Sequence, residues 1–474
     1  MKNILMTKTK VENYLDENIK NIYETKSLSK SLKKIYGVNE EIIKEISKEK
    51  CEPKWVLDIR LKAYELFLKL DDPSWGPDIS YLKLDDLKTY VKPNIGEKRT
   101  WEEVPDDIKD IFNKLGIPDA EKESLSGVGA QFDSEVIYHN AEEKLLKQGV
   151  IYTNFDKAIK EYPDLVKKYF TKAVPLTDHK YIALHYALFS GGSFVFIPKG
   201  VKLDMPLQSY FRLNEKGAGQ FEHTLIILED ESSLEFIEGC SAPGYNEVNL
   251  HAGCVELFVG KSANLKFSTI ENWSKNMLNL NTKKCFVEEN GKIEWIMGSF
   301  GSKVSMLYPL SVLNGKNAVC EFTALSFAGK GQNLDTGVKI VHNAPNTSSF
   351  VSSKSISKDG GISTFRSNVL VKNNATLSKI NVSCESLMLD SISRSDTIPA
   401  DTILNNTSTY SHEAKIGKIS DEAIYYLMTK GLSESEARSV IVEGFAEPIA
   451  KAFPVEYAVE MNRLINLELD GTIG

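Results

Sequence analysis

Six cysteines give this chain its most versatile chemistry, because a thiolate is both a sulfur nucleophile and a soft metal ligand. No two of them form a C-x-x-C pair, and their spacing matches neither a zinc ribbon nor a ferredoxin. If the chain binds a metal, it therefore does not enclose the ion with four local thiolates. The six are Cys51, Cys240, Cys254, Cys285, Cys320 and Cys384.

Cys240, in the segment EGCSAP, has two interpretations. A thiolate here could attack a persulfide and carry its outer sulfur. The alternative is a buried cysteine that packs as a small hydrophobic residue, which is the commoner fate of a lone cysteine. Residue type alone leaves both interpretations open.

Motifs for independent nucleotide or hydrolytic chemistry are missing from the sequence. The segment VGKSAN resembles part of a phosphate-binding loop, but the first glycine of GxxxxGK[ST] is replaced by Val255. HEAKI resembles half of a zinc-protease motif, but Ile416 stands where the second histidine is needed. No G-x-S-x-G is present, and no G-x-G-x-x-G opens a helix. Any ATP chemistry must therefore come from a partner chain.

Charge and hydropathy exclude several functional classes. The net charge is −8 and the pI about 5.6, whereas binders of nucleic acid or anionic membranes need a basic footprint. No run approaches eighteen apolar residues, and the first twenty residues lack the apolar stretch of a secretory signal. We therefore expect a cytosolic protein whose cysteines are free thiols.

The elements that must position the cysteines change in character along the 474 residues. Helical patterns dominate the first 190 or so, with helices expected over 54–70 after Pro53, over 104–118, and over 155–170 with a break at Pro163. Short β-rich runs separated by turn residues then continue to about 411. The chain therefore begins with a mainly helical region and passes into a β-rich one.

About 220 residues of short strands without crossover helices allow two architectures, an antiparallel sandwich or barrel and a β-helix. Gly260, Gly291 and Gly315 are 31 and 24 residues apart, a ragged period within the range of solenoid repeats. This pattern slightly favours the β-helix. Helices return at the end, where Ser420 is a predicted cap and Ser433 with Glu436 a predicted capping box.

Four long segments carry a family resemblance, at 129–140, 236–253, 393–417 and 458–474. They resemble the SufB/SufD proteins of the Suf iron–sulfur assembly machinery, and among these the SufB-type scaffold subunits. The resemblance runs from about residue 50 to the terminus. It implies a mainly β protein with a right-handed parallel β-helix core at 191–417, an N-terminal mainly helical domain at 1–190 and a C-terminal helical domain at 418–474.

The function implied by this resemblance is de novo assembly of an iron–sulfur cluster on a scaffold that is not itself an enzyme. The C-terminal helices are expected to dock a SufC-like ABC ATPase, and the β-helix a SufD-like subunit or a second SufB copy. A cysteine desulfurase with its sulfur-transfer protein would supply sulfur. The transient cluster is expected to be [4Fe–4S], with reduced flavin as a candidate reductant. The alternatives are a SufD-like partner subunit and, far behind, a β-helix carbohydrate-active enzyme.

The resemblance also implies roles for single residues. Cys240 becomes the sulfur acceptor, and five residues become the lining of the path that sulfur takes inside the β-helix. Cations there would lower a thiolate's pKa and stabilise anionic sulfur. At position 271 the family often has glutamine, so the carboxylate found here opposes a persulfide anion. The five are Arg212, Asn214, Glu271, Trp273 and Lys283.

Cys384, His412 and Glu413 are the residues implied to hold the nascent cluster, since thiolate, imidazole and carboxylate all ligate iron. His412 and Glu413 are sequence neighbours, and neighbours on a strand point to opposite faces. Ser411 replaces a carboxylate that some relatives have at this point. We interpret the other four cysteines as packing residues, and His251 as structural.

Overall fold

The chain is wound into a parallel β-helix, which confirms the predicted mainly β core with flanking helices. The parallel ladders exclude an antiparallel sandwich or barrel. The predicted helix at 104–118 lies outside the described residues. This computed structural model describes residues 31–94, 96–98, 103, 125–141, 143–453 and 455–470.

Helices precede and follow the coils of the β-helix. The helix predicted after Pro53 is present as α2, and Pro163 begins a new helix, α5, as predicted. In the described parts of the chain the helices are α1 (Glu40–Glu49), α2 (Lys54–Lys69), α3 (Glu143–Lys147), α4 (Phe155–Glu161), α5 (Pro163–Tyr169), α6 (Lys180–Leu188), α7 (Asp421–Thr429), α8 (Glu434–Ala450) and α9 (Val455–Asp470).

Strands are numbered in chain order. Those N-terminal to the coils are β1 (Ser31–Tyr36), β2 (Lys88–Pro93), β3 (Gly127–Phe132), β4 (Glu135–Ala141) and β5 (Ile151–Asn154). One sheet of the coils, the long sheet, contains β7 (Leu207–Arg212), β10 (Ser233–Ser241), β13 (Asn264–Asn272), β16 (Lys292–Phe300), β19 (Val319–Ala328), β21 (Ser348–Ser357), β23 (Lys379–Met388) and β26 (Thr409–Lys418). The opposite sheet contains β6 (Ser193–Ile197), β8 (Gly219–Gln220), β9 (His223–Leu228), β11 (Asn249–His251), β12 (Cys254–Val259), β14 (Met277–Asn279), β15 (Thr282–Val287), β17 (Val304–Leu307), β18 (Leu310–Leu313), β20 (Asn333–His342), β22 (Ile362–Val371), β24 (Arg394–Pro399) and β25 (Thr402–Ile403).

The coils stack in strict register. In the long sheet, Ser233 pairs with Asn264, which pairs with Lys292, and the paired positions along the sheet are 27 to 31 residues apart. The predicted glycine period marks one corner of this stack, because Gly291 lies directly against the backbone of Gly260. Close stacking at such a corner leaves no room for a side chain.

Alternation along each strand divides the residues between the inside of the β-helix and its outer faces. The interior is apolar along most of its length. The Phe236 and Phe267 rings stack there with centroids 5.5 Å apart, and the tilted ring of Trp295 packs 5.4 Å from that of Phe267. Such a ladder of buried rings supplies much of the hydrophobic stabilisation that holds the coils together.

Helices cover the two outer faces of the β-helix. The N-terminal helices pack on the opposite sheet, and α7, α8 and α9 pack on the long sheet. Strand β3 adds to the long sheet in parallel with β7, so residues before the predicted boundary at 190 also contribute to that sheet. The region 1–190 therefore shares a sheet with the core instead of only flanking it.

The predicted N-terminal caps of two C-terminal helices, α7 and α8, are both present. The Ser420 side chain accepts a hydrogen bond from the Ala423 N–H, and Ser433 with Glu436 forms a complete capping box. None of the helices in the described ranges is long and apolar enough to cross a membrane.

Candidate functional site

Strand β10 carries Cys240 into the interior of the β-helix. Leu234 and Phe236 of the same strand point into the apolar core, and the alternation continues through Glu238 to Cys240. The thiol is almost completely buried. The interior therefore changes from apolar to charged within one strand.

Lys283 is a buried cation close enough to this thiol to lower its pKa. Its ammonium group forms a fully buried ion pair with Glu238, which also accepts a 3.2 Å hydrogen bond from the Thr269 hydroxyl. Glu271 is the register partner of Cys240 on β13. The structure thus brings together three of the predicted residues, Cys240, Glu271 and Lys283.

A second string of polar groups joins Glu271 from the other side. Glu222 Oε1 lies 2.5 Å from His251 Nε2, and His251 Nδ1 lies 2.8 Å from Asn279 Oδ1. The Asn279 amide then donates a 2.6 Å hydrogen bond to Glu271 Oε2. His251 is therefore part of the charged interior, a role that its isolated position in NLHAG did not reveal.

The surroundings of Cys240 favour its protonated thiol. Burial raises the pKa of the Cys240 thiol far above its ordinary value, and Glu238, Glu222 and Glu271 raise it further, against the opposing effect of Lys283. The predicted cationic lining therefore also contains three carboxylates that oppose the thiolate. The resting thiol is protonated at neutral pH, and it must lose its proton when it acts as a nucleophile.

The pKa values of Lys283 and His251 are both shifted toward the charged form in spite of burial. Desolvation lowers the pKa of Lys283, but Glu238 and Glu271 outweigh it, and the net shift is upward. Desolvation likewise opposes the charged form of His251, and Glu222 reverses the sign, so the pKa of His251 is raised. The carboxylates therefore favour the charged forms of both side chains, which suit an anionic sulfur.

Several polar atoms in this part of the interior lack a hydrogen-bond partner among the described residues. Buried polar atoms are nearly always paired, so a group of unpaired ones indicates an interior that takes up water or a polar ligand. The atoms are Gln220 Oε1, Glu222 Oε2, Thr224 Oγ1, Glu238 Oε2, Glu271 Oε1 and Trp273 Nε1.

The remaining predicted lining residues lie at the corner that follows β10. The Trp273 ring stacks near His251, with centroids 4.5 Å apart. Arg212 is buried and donates a 2.8 Å hydrogen bond from Nη1 to Ser241 Oγ, next to Cys240 in sequence. Asn214 is also buried at this corner, and its backbone N–H donates to Asp133 Oδ1 at 2.7 Å.

A second thiol site lies on the last coil. Cys384 on β23 and His412 on β26 both point inward, with Sγ 3.5 Å from Nε2. The other ring nitrogen of His412 lies 3.2 Å from the Tyr410 hydroxyl, which donates a hydrogen bond to Asp401. Burial first, and Asp401 second, raise the pKa of the Cys384 thiol to about 12.

Glu413 lies on the other side of β26 from this pair. Its side chain is 65% exposed and forms a 3.0 Å ion pair with Lys415. The structure therefore joins Cys384 to His412 and directs Glu413 outward. Strand β26 is the terminal strand of the long sheet, so Glu413 stands at an open edge.

Five strand steps separate the two thiol sites, which corresponds to about 24 Å at about 4.8 Å per step. The interior between them is filled by apolar side chains such as Trp295, Phe322 and Val351. Cys285 and Cys320 are packed in the same core. The charged interior around Cys240 therefore does not continue to Cys384.

Comparison with protein-family models gives two consecutive matches. Residues 26–209 match the model described as SufBD protein N-terminal region. Residues 211–445 match the model described as SUF system FeS cluster assembly, SufBD core domain. Together the two matches cover well over half of the chain and include both thiol sites.

Curated relatives agree with these matches. Proteins named as iron–sulfur cluster assembly SufBD family proteins from Staphylococcus haemolyticus, Staphylococcus epidermidis and Staphylococcus aureus are each 50% identical to this chain over 438 residues. The alignments cover 92% of this chain and 94% of each relative. The similarity therefore extends through the helical ends as well as the coils.

Proposed function

This chain belongs to the SufBD family of iron–sulfur cluster assembly proteins, and we propose that it is the SufB-type scaffold subunit rather than a SufD-type partner. The observation that carries this proposal is the environment of Cys240, a buried thiol facing Lys283 and a ring of carboxylates. A subunit that only supports the cluster site from outside has no use for such a thiol.

Sulfur enters at Cys240. A nearby carboxylate, Glu238 or Glu271, takes the thiol proton, and the thiolate attacks the outer sulfur of a donor persulfide. The sulfur–sulfur bond of the donor breaks, the donor cysteine leaves as a thiolate, and Cys240 carries the transferred sulfur as a persulfide. Lys283 and His251 balance the negative charge that this persulfide brings into the interior.

The donor must reach a thiol that is buried in the resting structure. The loop that follows β10 supports one entry route, because Gly244, Asn246 and Glu247 are exposed a few residues after Cys240. Displacement of this loop would open the corner at which Trp273 and Arg212 lie. A docked sulfur donor supplies the binding free energy for this displacement.

The nascent cluster, which is the cargo of the scaffold, is held by Cys384 and His412 at the open end of the coils. A stable [4Fe–4S] site usually has four thiolates, and these two ligands are too few. A partner that pairs with the free edge of β26 would supply the rest and would meet the outward carboxylate of Glu413. Cluster type and the use of reduced flavin stay predictions.

The partners proposed for this chain follow from its surfaces. The SufC-like ATPase is expected at α7 and α8, where Tyr425, Tyr426, Met428 and Val440 are exposed apolar side chains. The SufD-like subunit, or a second copy of this chain, is expected at the β26 edge. A cysteine desulfurase with its transfer protein is the sulfur source.

The test is sulfur loading on the purified chain from a desulfurase supplied with labelled cysteine. Cys240→Ser should lose most of the bound sulfane sulfur, because an alkoxide is not accessible at neutral pH. Cys285→Ser, which removes another fully buried thiol, is the matched control and should load normally. Equal loading by wild type and both variants would remove the SufB assignment and favour the SufD-like alternative.

A further inference from the structure

Three buried side chains outside both thiol sites meet where helix α6 contacts strands β9 and β12. They are His185, His223 and Cys254, and none of them is exposed to solvent. One nitrogen or sulfur atom from each lies within 4.8 Å of the other two. Because His223 and Cys254 are register partners on adjacent parallel strands, their side chains share one face of the sheet.

The hydrogen bond of His185 determines which of its ring nitrogens can bind a ligand. Nδ1 lies 2.8 Å from the carbonyl oxygen of Ala252, which only accepts hydrogen bonds, so Nδ1 carries the proton. Nε2 therefore has a free lone pair. That lone pair faces Nδ1 of His223 at 3.1 Å.

The other nitrogen of His223 faces a carboxylate. His223 Nε2 lies 3.3 Å from Glu256 Oε2 without a hydrogen bond of acceptable geometry. Glu256 accepts N–H groups from Thr171, Ala173 and Val174 at 2.8 to 2.9 Å, as expected for an ionised carboxylate. A proton on His223 Nε2 suits this neighbour, whereas a bare lone pair would repel it.

With these two proton positions, neither of the nitrogens that face each other between the two imidazoles carries a proton. When Nδ1 of His185 and Nε2 of His223 both carry hydrogen, two lone pairs face each other across 3.1 Å in a buried site. Such a contact is costly unless a cation stands between or beside the nitrogens. The sulfur of Cys254 lies next to the same point.

We propose that His185 Nε2, His223 Nδ1 and Cys254 Sγ bind one divalent ion of the zinc or iron(II) class. Two imidazoles and a thiolate are the donor set that such ions prefer. Each histidine has the outer partner typical of metal sites, the Ala252 carbonyl for His185 and the Glu256 carboxylate for His223. Binding releases the Cys254 proton to solvent, and thiolate plus carboxylate balance the two positive charges.

The spacing is close to that of a tetrahedral site. Metal–nitrogen bonds of about 2.0 Å and a metal–sulfur bond of about 2.3 Å place ligand atoms roughly 3.3 to 3.7 Å apart. The two nitrogens are already 3.1 Å apart, and the sulfur lies within 4.8 Å of both. Small side-chain rotations are therefore sufficient for the three atoms to share an ion.

The surroundings indicate a structural rather than a catalytic ion. The rings of Phe155 and Phe170 lie 4.5 and 4.8 Å from the His223 ring and exclude water from the site. His185 belongs to the N-terminal helices, and the other two ligands belong to the coils. The ion would therefore cross-link the N-terminal helical region to the β-helix, and it would bind as these two parts fold together.

The test uses the full chain carrying Cys384→Ala, so that iron at the proposed cluster site does not contribute. Protein purified aerobically should contain close to one equivalent of zinc or iron per chain by elemental analysis. After removal of metal with a chelator under mild denaturation, Zn²⁺ alone and anaerobic Fe²⁺ alone are each added back. The ion that raises Tm at stoichiometric concentration identifies the occupant.

Cobalt reports the ligands directly. Co²⁺ added to the same metal-free protein should give the visible bands of a tetrahedral site and a thiolate charge-transfer band. Cys254→Ser should remove the charge-transfer band. Both Cys254→Ser and His185→Gln should weaken the binding of Co²⁺ at least tenfold. Cys285→Ser and His342→Gln, which alter equally buried residues elsewhere in the coils, should leave the spectrum unchanged.

Two outcomes overturn the proposal, and the first needs no variant of the three proposed ligands. The first is metal-free protein as isolated that also shows no tetrahedral cobalt spectrum and no change in Tm with either ion. The second is a cobalt spectrum that Cys254→Ser leaves intact in folded protein. The first result would mean that a proton on the histidine pair, rather than a metal ion, balances Glu256, and the second that Cys254 is not a ligand. Failure of this metal-site proposal would leave the sulfur-loading test at Cys240, and the function that it tests, unaffected.

Discussion

At the scale of single residues, the main feature is that three carboxylates lie near the buried thiol of Cys240. Burial raises the pKa of this thiol most, Glu238, Glu222 and Glu271 raise it further, and Lys283 lowers it. A protonated resting thiol is protected from oxidation and from stray electrophiles. The same balance means that a small change in charge here alters both stability and reactivity.

Lys283→Met should destabilise the fold by about 3–5 kcal/mol, because it leaves the Glu238 carboxylate buried without its cation. The double variant Glu238→Gln with Lys283→Met should recover most of this loss, since no unpaired charge remains. Free energies of unfolding from urea titrations of the two single variants and the double variant measure the coupling. Additive losses would show that the ion pair does not set the stability of this interior.

Asp133 should give the stability of the protein a pH dependence of unusual sign. Burial raises the pKa of Asp133 to about 7, although its carboxylate accepts backbone N–H groups from Asn214 and Glu215. The unfolded chain releases this proton near pH 4, so between about pH 4 and 7 the folded chain binds more protons. The stabilisation from Asp133 is therefore present at low pH and lost as the pH rises through 7.

The matched variant for this prediction is Asp133→Asn, which keeps the acceptor oxygen but does not titrate. Between pH 5 and pH 7.5 the free energy of unfolding of the wild type, taken relative to the variant, should fall by a few kcal/mol, at about 1.4 kcal/mol per pH unit. Urea unfolding at both pH values measures it. A difference that does not change with pH would mean that Asp133 is ionised throughout this range.

At the scale of elements, the C-terminal helices have two different faces. One face packs on the long sheet through buried residues such as Val442, Ala446 and Leu464. The other face exposes Tyr425 and Tyr426 of α7, with 70% and 60% of their surface accessible. Deleting the helices would uncover the outer face of the sheet, so substitutions on the exposed face are the cleaner probe of docking.

Tyr425→Glu combined with Tyr426→Glu should weaken binding of the ATPase subunit at least tenfold, because charge replaces the apolar contact at the proposed interface. Tm should stay within a few degrees of the wild-type value, since neither side chain is buried. Leu146→Glu, at an exposed apolar residue of α3, is the control and should bind normally. Co-purification and calorimetry with the ATPase measure the effect, and wild-type affinity in the double variant would place the docking surface elsewhere.

At the scale of the whole molecule, the two thiol sites belong to different parts of the coil stack. Cys240 lies near the N-terminal end, and Cys384 lies one strand from the C-terminal edge. The interior between them is apolar, so it offers no continuous string of charged side chains to an anionic sulfur. Passage along the inside therefore requires the coils to loosen, and ATP-driven movement of docked subunits is one source of the necessary free energy.

Sulfur should accordingly accumulate at the first site when the second is removed. In complexes that carry Cys384→Ala, labelled persulfide should build up at Cys240 to at least the wild-type level, while cluster formation falls to background. Mass spectrometry of the modified peptide and absorbance of the cluster measure the two steps separately. Absence of persulfide at Cys240 in this variant would mean that the two sites do not act in this order.

Much of the architecture can be predicted from local sequence. Short β-rich runs, the recurring glycines at 260 and 291, and the capping box at Ser433 each depend on residues close together in the chain. The alternation of side chains along a strand also indicated that the neighbours His412 and Glu413 could not both face inward. These features are local because strand alternation, corner turns and helix caps act over a few residues.

Only the tertiary structure decided which distant residues share a site. The sequence did not indicate that Glu222 and His251 join Glu271 beside Cys240, or that His185 approaches Cys254. In a β-helix the partner of each inward side chain comes from the next coil, about 30 residues away, and from the sheet that faces it. Such contacts depend on the register of every corner together, so no short segment contains them.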